Sequence, residues 1–212
     1  MTIRSVESWG IKMRRLSVLL LLLALLLTGC ATRFSISGGG YLDEETGLVY
    51  QPLSAAFEPA ARGDEIGTWE NKKAEVEMTF YEIPDADTAR FLADDAGTVY
   101  AVGGTAPDVS TWSVKSILVC DEGAVSVAVA SVTDAAVIAQ IHTLWLKGEQ
   151  DELPYAGDVE CRRLKMVSDD CPGIYYCVLY MIYDDGTAYF YDRDTRRTVL
   201  VGDELKKRIP IT

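Results

Sequence analysis

The chain has 212 residues, with 20 lysines and arginines against 32 aspartates and glutamates and a net charge of −12. That acid excess argues against nucleic acid and anionic lipid headgroups as partners, since both repel such a surface. Hydrophobic residues make up 49% of the chain, which argues against disorder throughout and suits one domain or two small ones.

The first thirty residues divide into three parts. A basic lead carries Arg4, Lys12, Arg14 and Arg15 against one acid, Glu7. From Leu16 to Thr28 only Ser17 and Thr28 are polar. This run suits the apolar core of a secretory signal and falls short of the ~20 residues a membrane-spanning helix needs. Small residues and a thiol then close it as Leu27-Thr28-Gly29-Cys30. This tetrad resembles the lipobox of bacterial lipoproteins. The resemblance implies cleavage before Cys30, a thioether-linked diacylglycerol on its sulfur, and residence on the extracytoplasmic face of a bacterial membrane. Two acyl chains give a stable hold where one binds only marginally, at ~0.8 kcal/mol per buried CH2. Met13-Arg14-Arg15 would itself open a compact signal, so Met13 is an alternative start to Met1. Residues 1–29 are therefore read as a signal peptide. Without them the net charge is −15.

Residues 30–40, ending in Gly38-Gly39-Gly40, read as a flexible tether. Residues 41–107 form a first α+β subdomain. Asp43-Glu44-Glu45-Thr46-Gly47 predicts a turn, with short extended pieces at Leu48–Gln51 and Ala55–Glu58 punctuated by Pro52 and Pro59. Ala74, Val76, Met78 and Phe80 alternate with Glu75, Glu77, Thr79 and Tyr81, the period of a half-buried strand. Pro84-Asp85 opens an expected short helix over 86–93, a strand follows at Thr98–Val102, and Gly103-Gly104 reads as a joint.

Residues 108–212 form the second subdomain. Val114–Cys120 and Ala124–Ala130 flank Asp121-Glu122-Gly123 as a hairpin. Thr133 or Asp134 caps a helix whose apolar face is Val137, Ile138, Ile141, Leu144 and Trp145, and Gly148 stops it. After an extended Val159–Val167, the segment Ile174–Tyr183 is apolar on both faces and should be a central strand with that helix on one side. Asp184-Asp185-Gly186 turns it into Thr187–Asp192, Thr198–Val201 completes a three-stranded meander, and Gly202–Arg208 makes a helical turn. The expected class is α+β, antiparallel sheets with a packed amphipathic helix. The layout of the last hundred residues looks like that of many small lipoproteins of Gram-positive bacteria.

With Cys30 taken by lipid, Cys120, Cys161, Cys171 and Cys177 remain, an even number that suggests two disulfides in an oxidising exterior. Three connectivities are possible; Cys161–Cys171 with Cys120–Cys177 is the preferred one. No Cys-x-x-Cys pair occurs and His142 is the sole histidine, so no metal site is expected, nor any cofactor beyond the covalent diacylglycerol. Nucleophilic catalysis would have to use His142, in the middle of the amphipathic helix, and no Gly-x-Ser-x-Gly or His-Glu-x-x-His occurs. No catalytic residue is assigned. Asp169-Asp170, Asp184-Asp185 and Asp192/Asp194 could serve a small envelope hydrolase as paired carboxylates, but each falls at an expected turn. Tyr183, Tyr189 and Tyr191 could form an exposed aromatic patch for a protein or glycan, against the alternative that they pack within the sheet. The favoured function is a noncatalytic, lipid-anchored protein that binds a protein or envelope component; the alternative is the hydrolase.

Overall fold

The structure, a computed structural model, describes residues 33–121, 126–154 and 157–210. Leu27, Thr28, Gly29 and Cys30 lie outside the described residues. Antiparallel strands dominate and helix is scarce, so the expected α+β class gives way to a predominantly β fold.

The first sheet joins β1 (Phe34–Ser37), β2 (Gly40–Asp43), β3 (Val49–Pro52), β5 (Glu65–Asn71), β6 (Val76–Tyr81), β7 (Phe91–Asp94) and β8 (Val99–Val102) in the order β1-β2-β3-β8-β7-β6-β5. It curls until its edges meet, where the Arg33 amide donates to the Thr68 carbonyl at 3.1 Å. Phe34, Tyr50, Phe80, Leu92 and Tyr100 are buried within it.

The second sheet follows the order β10-β9-β11-β12-β13-β14, from β9 (Val114–Asp121), β10 (Ala128–Val132), β11 (Val159–Ser168), β12 (Ile174–Tyr183), β13 (Ala188–Tyr191) and β14 (Thr198–Val201). Helix α1 (Ala135–Lys147) lies on one of its faces, and α2 (Asp203–Lys206) contributes Leu205 beside it. The carboxylate of Asp134 caps α1 by accepting from the amides of Ala136 and Val137. Gly148 ends the helix with φ −62°, so a left-handed turn is not what requires glycine. A Cβ there would stand 2.4 Å from Val199 Cγ1, so the requirement is close approach.

Three expectations for the first half are overturned. Within the expected tether, Phe34–Gly40 belong to a hairpin: Ser37 pairs with Gly40 across Gly38 and Gly39, whose φ values of 58° and 79° suit a tight two-residue turn. The helix expected over 86–93 is a turn followed by β7, whose four residues are all buried. Phe91 and Ala93 pack on one side and Leu92 on the other, which needs the period of a strand. The boundary at residue 107 is also crossed, because β4 (Phe57–Pro59) leaves the first half and pairs with Ile174–Tyr176 of β12. A shared core of Leu53, Phe57, Phe91, Trp112, Cys171 and Ile174 joins the two halves.

No two of Cys120, Cys161, Cys171 and Cys177 lie at disulfide distance, and Cys120, Cys171 and Cys177 are buried free thiols. Cys161 lies opposite Met181 at the far end of the β11–β12 hairpin from Cys171, several residues of ~3.3 Å rise away. Cys120 and Cys177 occupy β9 and β12 with β11 between them. Two strand spacings, ~9.6 Å, exceed the reach of a disulfide. Burial pushes the Cys177 thiol up to about 12 and raises Cys171 as well. Alkylation after denaturation without reductant is therefore expected to modify Cys120, Cys171 and Cys177, read by mass mapping, and native alkylation to spare all three. A denatured protein lacking two adducts would restore a bridge.

Candidate functional site

Successive residues of β11 point to opposite faces of the second sheet. Leu164 and Met166 join the core under α1, which turns Arg163 and Lys165 to the other side. Register then places Arg163 beside Cys120 and Leu179, and Lys165 beside Cys177. Charges in that position need a carboxylate, because burying them unpaired is costly.

The carboxylate comes from β4. Pro52 ends β3, Leu53 donates its amide to Val99 O at 2.8 Å, and the chain crosses from the first sheet to the second. The crossing is pinned by the Ala55 amide, which donates to Asp194 Oδ2 at 2.7 Å. Glu58, opposite Tyr175, ion-pairs with Arg163 and accepts from Lys165 Nζ at 2.7 Å. Lys165 is only 9% exposed, and its ammonium lies 5.7 Å from the centre of the Tyr175 ring. Over this cluster opens a cleft of about 490 Å3 between the two sheets, bordered by Leu53, Phe57, Arg163, Ser126 and the turn at Gly97. The Ser126 hydroxyl is buried at its edge and has no hydrogen-bond partner among the described residues. Chemically, the site offers fixed cations, one shared carboxylate, open backbone and apolar walls.

Glu58→Gln is expected to destabilise the protein by about 2 kcal/mol, since Lys165 would lose its carboxylate; Arg163 and Glu58 keep some contact with water, which lowers the cost below that of a fully buried pair. Denaturant unfolding against the exposed control Glu75→Gln checks it, and equal midpoints would show that the cluster contributes nothing.

The tyrosine patch is not an exposed surface. Tyr183 and Tyr189 are each 8% exposed, with rings edge to face at 5.9 Å, and the Tyr183 hydroxyl donates to the Pro154 carbonyl at 3.4 Å. Packing across β12 and β13 and the cover of the 151–154 segment account for this. Tyr191 is half-buried and lines a small recess on the other side of Arg163.

The turn carboxylates are engaged in holding turns. Asp169 pairs with Lys115, Asp184 accepts from the Asp158 amide at 3.2 Å, and Asp192 accepts from Asp194 and Thr195 amides. The amide of Ser113, with the Ser168 hydroxyl, lowers the Asp170 pKa, and the hydroxyl and amide of Thr187 lower that of Asp185. A general acid needs the opposite shift. His142 Nε2 lies 3.0 Å from the Val109 carbonyl, so that nitrogen is the protonated donor and ties α1 to the 3-10 turn Val109–Thr111. Among the described residues no group of three or more metal-ligating side chains occurs.

Sequence reasoning missed the Glu58–Arg163–Lys165 cluster. The spacing of Arg163 and Lys165 opposite Leu164 and Met166 was a signal of a charged sheet face. Nothing local pointed to Glu58, 105 residues from Arg163. No family model, curated protein or solved structure matches this chain.

Proposed function

We propose that the chain is a lipid-anchored, extracytoplasmic binding protein of the bacterial envelope. Cys30 carries a diacylglycerol as the mature N-terminus, and the folded remainder engages a protein or glycan at the cleft between its sheets without catalysing a reaction. In class terms, we read the second sheet with α1 as a two-layer α+β unit joined to a curled β unit. The observation that carries the proposal is the Leu-rich core ending in Leu27-Thr28-Gly29-Cys30, followed after two residues by folded chain at Arg33. The binding role is supported by the Glu58–Arg163–Lys165 cluster, which holds charged groups fixed beside a concave surface.

The test is metabolic labelling of a bacterial host with an alkyne fatty acid. The wild-type chain is expected to take up label and partition into detergent, and Cys30→Ser to do neither. An unlabelled wild type would overturn the anchor. For the cleft, a photo-crosslinking residue at Ala96 in intact cells is expected to give a discrete adduct that the same residue at Arg196 does not. Absence of any adduct at Ala96 would overturn the binding site.

A further inference from the structure

We infer that the end of the first sheet carrying Arg33 stands against the bilayer surface, so that the interdomain cleft opens away from the membrane. This rests on the proposed lipid attachment at Cys30.

Two residues separate Cys30 from Arg33, and a chain spans at most ~3.6 Å per residue step, so over three steps Arg33 lies within about 11 Å of the lipidated residue. Arg33 has no slack to give. Its amide holds Thr68, its guanidinium meets Asp43 through two bonds of 2.7 Å, and a further nitrogen lies 2.8 Å from Glu45. Phe34 follows in the core, 1% exposed, with its ring 4.4 Å from that of Phe80. The Gly38-Gly39 turn then commits β1 to pairing with β2. Peeling β1 away to lengthen the leash would expose Phe34 and strand the buried Asp43.

Strand polarity converts this anchor point into an orientation. β1 runs away from Arg33, and antiparallel pairing around the sheet fixes the ends of all the other strands. The 44–47 turn, the start of β5 at Glu65 and the end of β6 at Tyr81 share the end with Arg33. The Gly38-Gly39 turn, the 72–75 turn and the 95–98 turn share the opposite end. Leu53, Ala96, Gly97 and Thr98, which border the cleft, belong to that second group.

The occupant of the near end is thus a lipid headgroup surface, held there by covalent reach. Attraction plays no part, since Glu44, Glu45, Glu65 and Glu82 are all exposed at that end. A partner entering the cleft must come from the side facing away from the bilayer.

The experiment uses the full lipidated protein in phosphatidylcholine vesicles containing a headgroup spin label, with a fluorophore placed through an unnatural residue at position 45 or position 72. The fluorophore at 45 is expected to lose more than half of its emission and the one at 72 to keep nearly all. Inserting a Gly-Ser linker of about twelve residues after Ala31, which adds about 19 Å of reach, is expected to abolish the difference. Equal quenching at the two positions in vesicle-bound protein with the native spacing would overturn the orientation alone, as would a difference that survives the linker. Failure to float with vesicles would overturn the lipid attachment and the orientation together.

Discussion

Trp145→Ala is expected to destabilise the protein by about 4 kcal/mol, the range for truncating a buried tryptophan. Trp145 is 2% exposed in the α1 face made with Val137, Ile138 and Ile141, against Leu164, Met166, Val178, Phe190 and Val199. Its indole N–H donates to the Tyr176 hydroxyl at 3.1 Å, and the Arg197 guanidinium lies 5.4 Å from its ring centre. Arg197 also donates to the carbonyls of Trp145 and Gly148, so the end of α1 is tied to the turn before β14. Burial pushes the Tyr176 hydroxyl up to about 12, against the pull of the Trp145 bond, and a hydroxyl so buried is costly to leave without that partner. Tyr176 reaches both cores, packing edge to face on Phe57 at 5.3 Å, so the damage extends to the strand that carries Glu58. Urea unfolding followed by circular dichroism measures the effect. Trp145→Phe, which keeps most of the volume and loses the hydrogen bond, is expected to cost about 1 kcal/mol. An alanine variant within 1 kcal/mol of wild type would mean that α1 is not packed on the sheet as described.

The second large effect is at Arg33. Arg33→Ala is expected to cost about 3 kcal/mol, because Asp43 is 1% exposed and would be left as a buried charge without its counter-ion. Burial pushes the Asp43 carboxyl up, but hydrogen bonds from Arg33, the Thr46 hydroxyl and the Glu45 amide, with the Arg33 charge, prevail and hold it at about 2. A carboxylate whose pKa falls on folding from its ordinary 3.8 stabilises the native state above that value. The contribution, about 2 kcal/mol, is lost as pH falls from 4 toward 2. Unfolding free energies measured between pH 6 and pH 2 should therefore fall more steeply in the wild type than in Asp43→Asn, which has no such proton to gain. Parallel curves for the two proteins would show that Asp43 carries none of the acid sensitivity. Arg33→Lys should recover only part of the loss, since an ammonium cannot match the paired 2.7 Å bonds of a guanidinium.

Much of the second half was legible before any fold was known. Ile174–Tyr183, apolar on both faces, is an interior strand flanked on both edges, and the residues spaced along one side of 137–145 pack in the core over its sheet. Both signals are local: a period of two or of 3.6 expresses which face meets the core. The first half misled for equally local reasons. The three-residue apolar run Phe91-Leu92-Ala93 has no period to distinguish strand from helix, and it followed Pro84-Asp85, residues that suit a helix start. Gly38-Gly39-Gly40 has the composition of a linker, and only the register of β1 on β2 makes it a turn. Strand β5 escaped notice because Gly67 interrupts it where Arg33 packs close; a Cβ there would stand 2.7 Å from Arg33 Cβ.

The same division applies to the candidate site. The tyrosines of β12 and β13 were visible as a row, but whether they faced solvent depended on the segment at Pro154, which the strand pattern does not encode. The sequence by itself determined the central strand, the helix with a cap at Thr133 or Asp134, and the expectation of a lipid address, because each is written in residues close enough along the chain to interact or be read as a unit. Only the tertiary structure decided that β4 crosses to the second sheet, that the four thiols stay apart, and that Glu58 meets Arg163 and Lys165 beside a cleft. Those outcomes depend on which distant strands become neighbours. That is settled by burying the shared core between the sheets and by giving buried charges a partner, and neither condition can be evaluated within any single stretch of the chain.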